Sequence, residues 1–379
     1  MILVCLSYQI SHVIPIIQYV DRMKTTDLVF FGESTVEDYV TNMGYTFIRC
    51  KNDELKNLLQ YRKSGRINKV KTIYEELHRE IIDVIELYNI DEMYCDISRY
   101  MYYALPGYLK KIKVTIFWTY NGPTHMNLLQ PPQTSKKSVE GKWECLQEWM
   151  KCFYNNEIKT GKVIFYLFYP YNFIFKPRFL KNIKYSMDGF FVDGEKIVCG
   201  PRALSNFYDE KTKFNEIKPQ NTKKIDDYLI GLSQSKRKKI YITFGTNNSR
   251  YSECRGIIEH ISTCLEKVGK YILLINVGEL DDFSCVDKDN IFFIKNINQP
   301  QLIEECDLVI FHGGFGTLKE CYFCNKKAIV IPFMYDQFAN AKLICELNMG
   351  IAIQKENVMT TNFVPLVDML LEGEKNGKV

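Results

Sequence analysis

The sequence has little excess charge, few histidines and no long uninterrupted apolar run. Its 379 residues carry 49 Lys and Arg against 45 Asp and Glu, which gives a net charge of +4. A dedicated nucleic-acid binder concentrates basic charge on one face, so this balance argues against nucleic-acid partners. The five histidines leave few ligands for a zinc site, and we expect no metal.

No membrane-spanning segment is expected either. The most apolar stretch, residues 163–175, is broken by a proline and an asparagine and is shorter than the roughly 20 residues that a spanning helix needs. We interpret it as a buried or pocket-lining segment. A membrane-surface patch is the alternative, favoured by Arg178, Lys181 and Lys184 just beyond it. Peripheral contact with a membrane therefore stays open.

The first residues have neither the basic segment nor the small-residue cleavage site of a signal peptide. The 13 cysteines are odd in number and scattered along the chain, which is typical of reduced thiols. We therefore expect a cytoplasmic location. Cys321 and Cys324 have zinc-like spacing but no second pair nearby, so core packing is the preferred interpretation.

What the sequence does contain is a large apolar fraction in alternating short and long segments. With 46% hydrophobic and 14% aromatic residues the chain is not disordered, and its length suggests two domains. Short β-rich runs that alternate with amphipathic stretches predict parallel α/β architecture. Strands are predicted at residues 2–6, 27–31, 46–50, 92–97 and 114–118, and in a second series at 240–244, 271–276, 290–294, 308–311 and 328–331.

The two series define two predicted domains. A polar, Lys-rich stretch separates them, so we place an N-terminal domain at 1–205, a linker at 206–235 and a C-terminal domain at 236–379. Within the first domain, a helix is predicted from about Pro15, where proline suits a first helical turn. Two βαβ series joined in this way predict two Rossmann-like domains that face a cleft.

The segment 307–341 carries the strongest chemical signal. Its strand ends at His312, three glycines follow within four residues, and a helix is predicted to open near Thr317. Glycines let the backbone approach a ligand closely, and a helix N-terminus binds anions, so a diphosphate is the expected ligand. Thr317 and Glu320 also fit a capping box, which would explain both residues without a ligand.

This segment resembles the donor-binding signature of glycosyltransferase family 1, the UDP-glycosyltransferase superfamily with the GT-B fold. That signature is similar to His-x-Gly-x-x-[Ser/Thr]-x-x-Glu, then Pro and [Asp/Glu]-Gln-x-x-Asn-Ala. The matching residues are His312, Gly314, Gly316, Thr317, Glu320, Pro332, Asp336, Gln337, Asn340 and Ala341. The resemblance implies two Rossmann-like domains with parallel sheets facing an interdomain cleft.

The resemblance also implies roles on the donor side. The donor diphosphate would be bound by His312, Gly314, Gly316 and Thr317, together with Gly245 and Thr246 in a turn similar to the family's Phe-Gly-[Ser/Thr]. Glu320 would bind the ribose, and Asp336 and Gln337 the transferred sugar. The base would lie near Asn296 and Gln299, where plant members carry a stacking tryptophan in place of Asn296. The donor would be a UDP- or dTDP-hexose, with no metal or other cofactor.

Two residues of the first domain are candidates for catalysis. Transfer to a hydroxyl needs a base, because an alcohol is a poor nucleophile until its proton is removed. His12 follows the first strand, at the sheet edge where open α/β folds bind ligands. It resembles the family's catalytic His, and Asp96 resembles the Asp that orients it. The alternatives are that His12 is merely exposed beside an N-capping Ser11 and that Asp96 caps a helix from Ser98.

The sequence thus predicts an inverting, metal-independent glycosyltransferase that acts on a hydroxyl of a small apolar acceptor, with a His–Asp pair as base. Three further possibilities stay open. The acceptor is a lipid at the membrane surface, the chain is a nucleotide-sugar 2-epimerase of the same fold, or it is a non-catalytic subunit that binds a sugar nucleotide. The expected partners are the nucleotide sugar and a small acceptor, and the oligomeric state is left open.

Overall fold

The structure is a computed structural model, and it describes residues 1–120, 142–160, 182–186, 189–205, 210–216, 218, 235–245, 253–278, 290–294 and 298–372. The chain divides into two compact units, Met1–Ile217 and Lys218–Val379. This division falls inside the segment predicted as a linker. The apolar stretch 163–175 lies outside the described residues, so its two interpretations stay predictions.

The first unit is built on a seven-stranded sheet in the order β3-β2-β1-β4-β5-β8-β9, and every neighbouring pair is parallel. Its strands are β1 (Ile2–Cys5), β2 (Leu28–Gly32), β3 (Thr46–Arg49), β4 (Glu92–Asp96), β5 (Lys113–Trp118), β8 (Lys196–Val198) and β9 (Thr212–Phe214). An antiparallel hairpin is formed by β6 (Ile183–Ser186) and β7 (Gly189–Val192).

The helices of the first unit follow its strands along the chain. They are α1 (Ile10–Arg22), α2 (Glu37–Asn42), α3 (Leu58–Lys63), α4 (Ile67–Leu87), α5 (Tyr100–Leu109) and α6 (Lys142–Phe153), with 3-10 helices at Ser34–Val36, Asp53–Asn57, Ile97–Arg99 and Arg202–Leu204 and a π-helical turn at Tyr154–Ile158. Strands such as β1 and β2 are almost continuously apolar and buried, as expected where helices cover both faces of a parallel sheet.

The second unit repeats this plan with a six-stranded parallel sheet in the order β12-β11-β10-β13-β14-β15. Its strands are β10 (Lys238–Thr243), β11 (Tyr271–Asn276), β12 (Ile291–Ile294), β13 (Leu308–Phe311), β14 (Lys327–Val330) and β15 (Gly350–Ala352). Its helices are α7 (Cys254–Glu266), α8 (Gln299–Glu305), α9 (Phe315–Phe323), α10 (Gln337–Glu346) and α11 (Phe363–Glu372), with a 3-10 helix at Lys355–Thr360.

Both sheets have a point at which the strand order reverses. In the first unit it lies between β1 and β4, and in the second between β10 and β13. Open α/β sheets bind ligands outside the carboxyl ends of the strands at such a switch point. His12 and Asp96 lie at the first switch point, and Gly245 and His312 lie at the second. The prediction of two Rossmann-like units is confirmed.

Two local expectations differ from the structure. The helix expected from about Pro15 begins at Ile10, so Pro15 lies inside α1 and offers no N–H to the carbonyl of Ser11. The buried face of α1 outweighs that lost hydrogen bond. The first unit also extends beyond residue 205, because β9 lies in the predicted linker and pairs with β8. Among the described helices, none is both long and apolar enough to cross a membrane.

A close backbone contact in the second sheet gives a stability prediction. A Cβ atom on Gly350 would lie 1.8 Å from the carbonyl oxygen of Ala328, its partner in β14. Gly350→Ala should therefore push β15 away and lower the free energy of unfolding by about 1–3 kcal/mol. Urea unfolding measures this loss.

The matched control for this substitution is Gly256→Ala in α7. Among the described residues, a Cβ atom there meets nothing within 4 Å. Gly256 lies in the first turn of α7, where alanine gains at most about 0.5–1 kcal/mol over glycine, so this variant should unfold at an equal or slightly higher urea concentration. Equal urea midpoints for Gly350→Ala and the unsubstituted chain would show that β15 does not pair as described.

Candidate functional site

The first cluster is built around His12, in the first turn of α1. Gln9 is the N-cap residue of that helix, and its carbonyl accepts a hydrogen bond from the His12 N–H at 2.9 Å. Ser11 is therefore not the N-cap residue. The His12 side chain is 22% exposed, which suits a group that has to reach both protein and ligand.

Asp96, the last residue of β4, contacts the His12 ring. Its Oδ2 and Oδ1 atoms lie 3.1 and 3.4 Å from His12 Nδ1. Oδ1 also accepts a hydrogen bond from the Ser98 N–H at 2.9 Å, so Asp96 caps the following 3-10 helix as well. The capping role and the contact with His12 are both present in one side chain.

The environment of Asp96 favours its ionised form although the side chain is fully buried. Burial alone would raise the pKa of this carboxyl. The charge and hydrogen bond of His12 oppose that effect, with help from the Ser98 N–H and the Ser7 side chain, and the net pKa lies below its ordinary value. A buried anion beside one imidazole nitrogen is the arrangement that fixes a histidine base in one tautomer.

Two further contacts near this pair were not found from the sequence. Thr119, the residue after β5, has its Oγ1 atom 2.9 Å from His12 Nδ1. Arg99 donates to Glu33 at 2.8 Å and lies over the ring of Tyr8, which ties together the connections after β1, β2 and β4. Position directly after a parallel strand was the only sequence signal for these residues, and many residues share it.

The second cluster is the Gly-rich turn between β13 and α9. The His312 ring lies against two glycines: a Cβ atom on Gly245 would be 2.8 Å from its Cε1 atom, and one on Gly314 would be 2.6 Å from Nε2. Gly245 and Gly313 also have φ values of +77° and +88°, which side chains rarely adopt. Any larger residue at Gly245 or Gly314 would displace the imidazole.

His312 is uncharged at neutral pH. Removal from solvent lowers its pKa to about 4, and a hydrogen bond with the backbone of Thr243 offsets only part of that effect. A neutral imidazole has only one N–H, and the hydrogen bond with the Thr243 backbone uses it. The turn therefore adds no positive charge, and its donors for an anion are the backbone N–H groups at the start of α9.

Helix α9 begins at Phe315 with Gly314 as its N-cap residue, two residues earlier than predicted. Thr317 therefore cannot act as the N-cap, and the capping-box interpretation is wrong. A Cβ atom on Gly316 would meet nothing within 4 Å, so this first turn of the helix is open on that side. Open backbone N–H groups at a helix N-terminus form an anion-binding site.

A chain of polar side chains links Glu320 to α8. Gln299 Nε2 donates to Glu320 Oε2 at 2.6 Å and to Thr317 Oγ1 at 3.1 Å. Its Oε1 accepts from the Tyr241 hydroxyl, which in turn accepts from Asn276. Burial raises the pKa of Glu320 to about 7, although Gln299 and Lys319 favour the charged form. The structure thus places Gln299, which was predicted near the base, beside Thr317 and Glu320 of the signature.

The second part of the signature forms the start of α10. Asp336 is the N-cap residue, and Asn340 donates to its Oδ2 atom at 2.9 Å and to the Gly313 carbonyl at 2.8 Å. Gln337 is buried, and its Oε1 accepts the N–H groups of Phe333 and Met334 at 2.8 and 3.0 Å. One end of the Gln337 amide is therefore engaged in holding this turn.

Two predicted site residues, Thr246 and Asn296, lie outside the described residues. Cys321 is fully buried in α9 and Cys324 follows that helix, and burial raises the pKa of both thiols. Within the described ranges, no group of three or more His, Cys, Asp or Glu side chains is placed to hold a metal ion.

Comparison with known proteins finds similarity to glycosyltransferases. Residues 240–378 match the model of the glycosyltransferase family 28 C-terminal domain. The chain is 32% identical over 92 residues to the NDP-glycosyltransferase YjiC of Bacillus subtilis (strain 168), covering 24% of each protein. It is 26% identical over 162 residues to a sterol 3-beta-glucosyltransferase of Saccharomyces cerevisiae (strain YJM789), covering 41% of this chain and 13% of that protein. The matched regions are thus under a quarter of the length of these relatives.

A solved structure, the glycosyltransferase of kitacinnamycin, covers 99% of this chain and 91% of its own with a TM-score of 0.65. The sequence identity is 13%, so this similarity concerns the fold. The chain therefore has the GT-B fold, and residues 240–378 of its second unit are similar to the glycosyltransferase family 28 C-terminal domain.

Proposed function

We propose that the chain transfers a hexose from a UDP- or dTDP-sugar to a hydroxyl group of a small acceptor, with inversion and without a metal ion. The observation that carries this proposal is the contact of His12 Nδ1 with the buried carboxylate of Asp96 at 3.1 Å. A unit that only bound a sugar nucleotide would need no base. The names of the relatives, an NDP-glycosyltransferase among them, support a nucleotide-sugar donor.

In this proposal the second unit binds the donor. The N–H groups at the start of α9, at Gly316 and Thr317, bind the diphosphate, together with the turn at His312 and Gly314 and with Gly245 and Thr246. Glu320 accepts hydrogen bonds from the ribose hydroxyls. Its partner Gln299 lies near the base, together with Asn296.

The first unit performs the proton transfer. The His12 Nε2 atom takes the acceptor proton while the acceptor oxygen bonds to the anomeric carbon and the bond from that carbon to the diphosphate oxygen breaks. The electron pair of that bond leaves with the nucleoside diphosphate. Asp96 stabilises the imidazolium. The helix N-terminus, with the backbone of the turn at His312, stabilises the departing charge, a task that a metal ion performs in other transferases.

Asp336 and Gln337 would select the sugar. Asn340 holds the Asp336 carboxylate, and the N–H groups of Phe333 and Met334 hold Gln337 Oε1, so both side chains are fixed at the start of α10. Such a pair suits a fully hydroxylated hexose. A deoxysugar would lack a hydroxyl and leave a polar group of the protein without its hydrogen-bond partner.

The acceptor is proposed as a small apolar molecule. A lipid acceptor at a membrane surface is the second candidate, and the similarity to a sterol 3-beta-glucosyltransferase is the observation that favours it. A 2-epimerase would have no need of the Asp336–Ala341 turn, and a non-catalytic subunit would need neither His12 nor Asp96.

The proposal predicts that His12→Ala lowers hexose transfer by about 10²–10⁴-fold, the usual contribution of a positioned base. The affinity for UDP-glucose should stay unchanged, because the donor is bound by the other unit. Mass spectrometry of released nucleotide, with UDP- and dTDP-hexoses, a panel of hydroxylated acceptors and EDTA throughout, measures both the activity and its independence of metal.

The control for this variant is His260→Ala. His260 lies in α7, contacts the Thr361 carbonyl at 3.1 Å and has no role in the proposed reaction. Its variant should transfer hexose at nearly the normal rate. Near-normal transfer by His12→Ala would refute the assignment of the base, and activity that needs added Mg²⁺ or Mn²⁺ would refute the metal-independent mechanism.

A pH dependence follows from Glu320, whose pKa is about 7. Ribose hydroxyls donate more strongly to the carboxylate than to the protonated acid, so ligand binding favours the ionised form. The affinity for UDP-glucose, which has no group titrating in this range, should fall as pH drops through 7. Glu320→Gln should weaken binding by about 10–100-fold, the value of a hydrogen bond to a charged group, and flatten the pH profile. Calorimetry between pH 5.5 and 8.5 tests this, and an equal slope in both proteins would exclude Glu320 as the titrating partner.

A further inference from the structure

His12 Nδ1 has a second close neighbour that the proposed reaction does not use. Thr119 directly follows β5, which pairs with β4 in the sheet. The Thr119 hydroxyl therefore lies at the same sheet edge as Asp96. The residue is only 7% exposed. Its Oγ1 atom lies 2.9 Å from His12 Nδ1, closer than either carboxylate oxygen of Asp96.

The position of the ring proton of His12 decides whether Thr119 donates or accepts in this contact. A neutral imidazole carries one N–H, and Nδ1 holds either that proton or a lone pair. A hydroxyl can serve both cases, because it accepts from an N–H and donates to a lone pair. A carboxylate only accepts. Asp96 Oδ2 lies 3.1 Å from His12 Nδ1. If the ring proton were on Nε2, this buried anion would face the lone pair of Nδ1 and would receive no hydrogen bond from His12.

The proton therefore belongs on Nδ1, and both Asp96 and Thr119 accept from it. Charge-assisted hydrogen bonds are about twice as strong as neutral ones, so Asp96 provides most of the energy. Thr119 approaches from a third strand end, and two acceptors on one N–H restrict rotation of the ring more than one acceptor does. The Thr119 oxygen also faces the imidazolium that forms during transfer.

We infer that Thr119 is a positioning residue for the base: its hydroxyl oxygen is the second acceptor of the His12 Nδ1 proton and holds Nε2 in the basic form. This inference rests on the proposed role of His12. It adds a residue that acts through His12 and does not touch the reacting atoms.

The test compares two substitutions at Thr119. Valine keeps the shape of the side chain and removes the oxygen, whereas serine keeps the oxygen and removes a methyl group. Thr119→Val should lower kcat for hexose transfer by about two- to tenfold, the value of one neutral hydrogen bond, with the KM for the donor unchanged. Thr119→Ser should restore kcat to within about twofold. A Thr119→Val enzyme with normal kcat, or with a raised KM alone, would overturn the inference.

A second measurement does not depend on activity. Two-bond ¹H–¹⁵N correlations of histidine rings report which nitrogen carries the proton, and the His12 signal is assigned by its loss in His12→Ala. We expect the Nδ1–H form in the unsubstituted protein and in Thr119→Ser, and a larger Nε2–H population in Thr119→Val. A proton on Nε2 in the unsubstituted protein, or identical spectra for Thr119→Val, would contradict the role of Thr119.

The two measurements separate the inference from the proposed function. If no nucleotide sugar is turned over, the proposed function fails while the ring spectra still decide whether Thr119 accepts the Nδ1 proton. If transfer occurs and the spectra do not respond to Thr119→Val, the function stands and only the role of Thr119 is wrong.

Discussion

A fully buried carboxylate stays ionised only when hydrogen bonds and an opposite charge replace the water it has lost. Asp96 is such a group, and its partners come from several parts of the first unit: His12 at the start of α1, the Ser98 N–H and the side chain of Ser7. Each of these partners lies close to Asp96 because the carboxyl ends of all strands in a parallel sheet lie at the same edge. The contacts of the His12 cluster thus stabilise one buried charge.

The second unit uses the same sheet edge with a different electrostatic result. His312 is neutral with a pKa of about 4, and Glu320 titrates near 7. Burial drives both shifts, and both favour the uncharged form. A turn of this kind can bind an anion through backbone N–H groups and a helix N-terminus, without lysine or arginine side chains. The first unit thus holds a buried negative charge at its strand ends, whereas in the second unit burial favours the uncharged forms of His312 and Glu320.

Much of this arrangement could be read from the sequence because it depends on local patterns. Apolar strand runs and the spacing from His312 to Ala341 predicted the second sheet and its turn, and the strand ends placed His12 and Asp96 on one edge. Contacts that join distant residues could not be read in this way. Thr119 lies 107 residues from His12 along the chain, and nothing in its own surroundings marks it. The start of α1 was misplaced because burial of one helix face outweighed the preference of Pro15 for a first turn.

The central claim is a single displacement at the anomeric carbon with a His12 base. Hydrolysis tests it without knowledge of the acceptor, since water can take the place of the acceptor hydroxyl. Proton NMR identifies the anomer released from a UDP-α-hexose before mutarotation mixes the two forms. A single displacement releases the β-anomer first, and this is the predicted result. Initial release of the α-anomer would mean two displacements or a different mechanism, and would contradict the account.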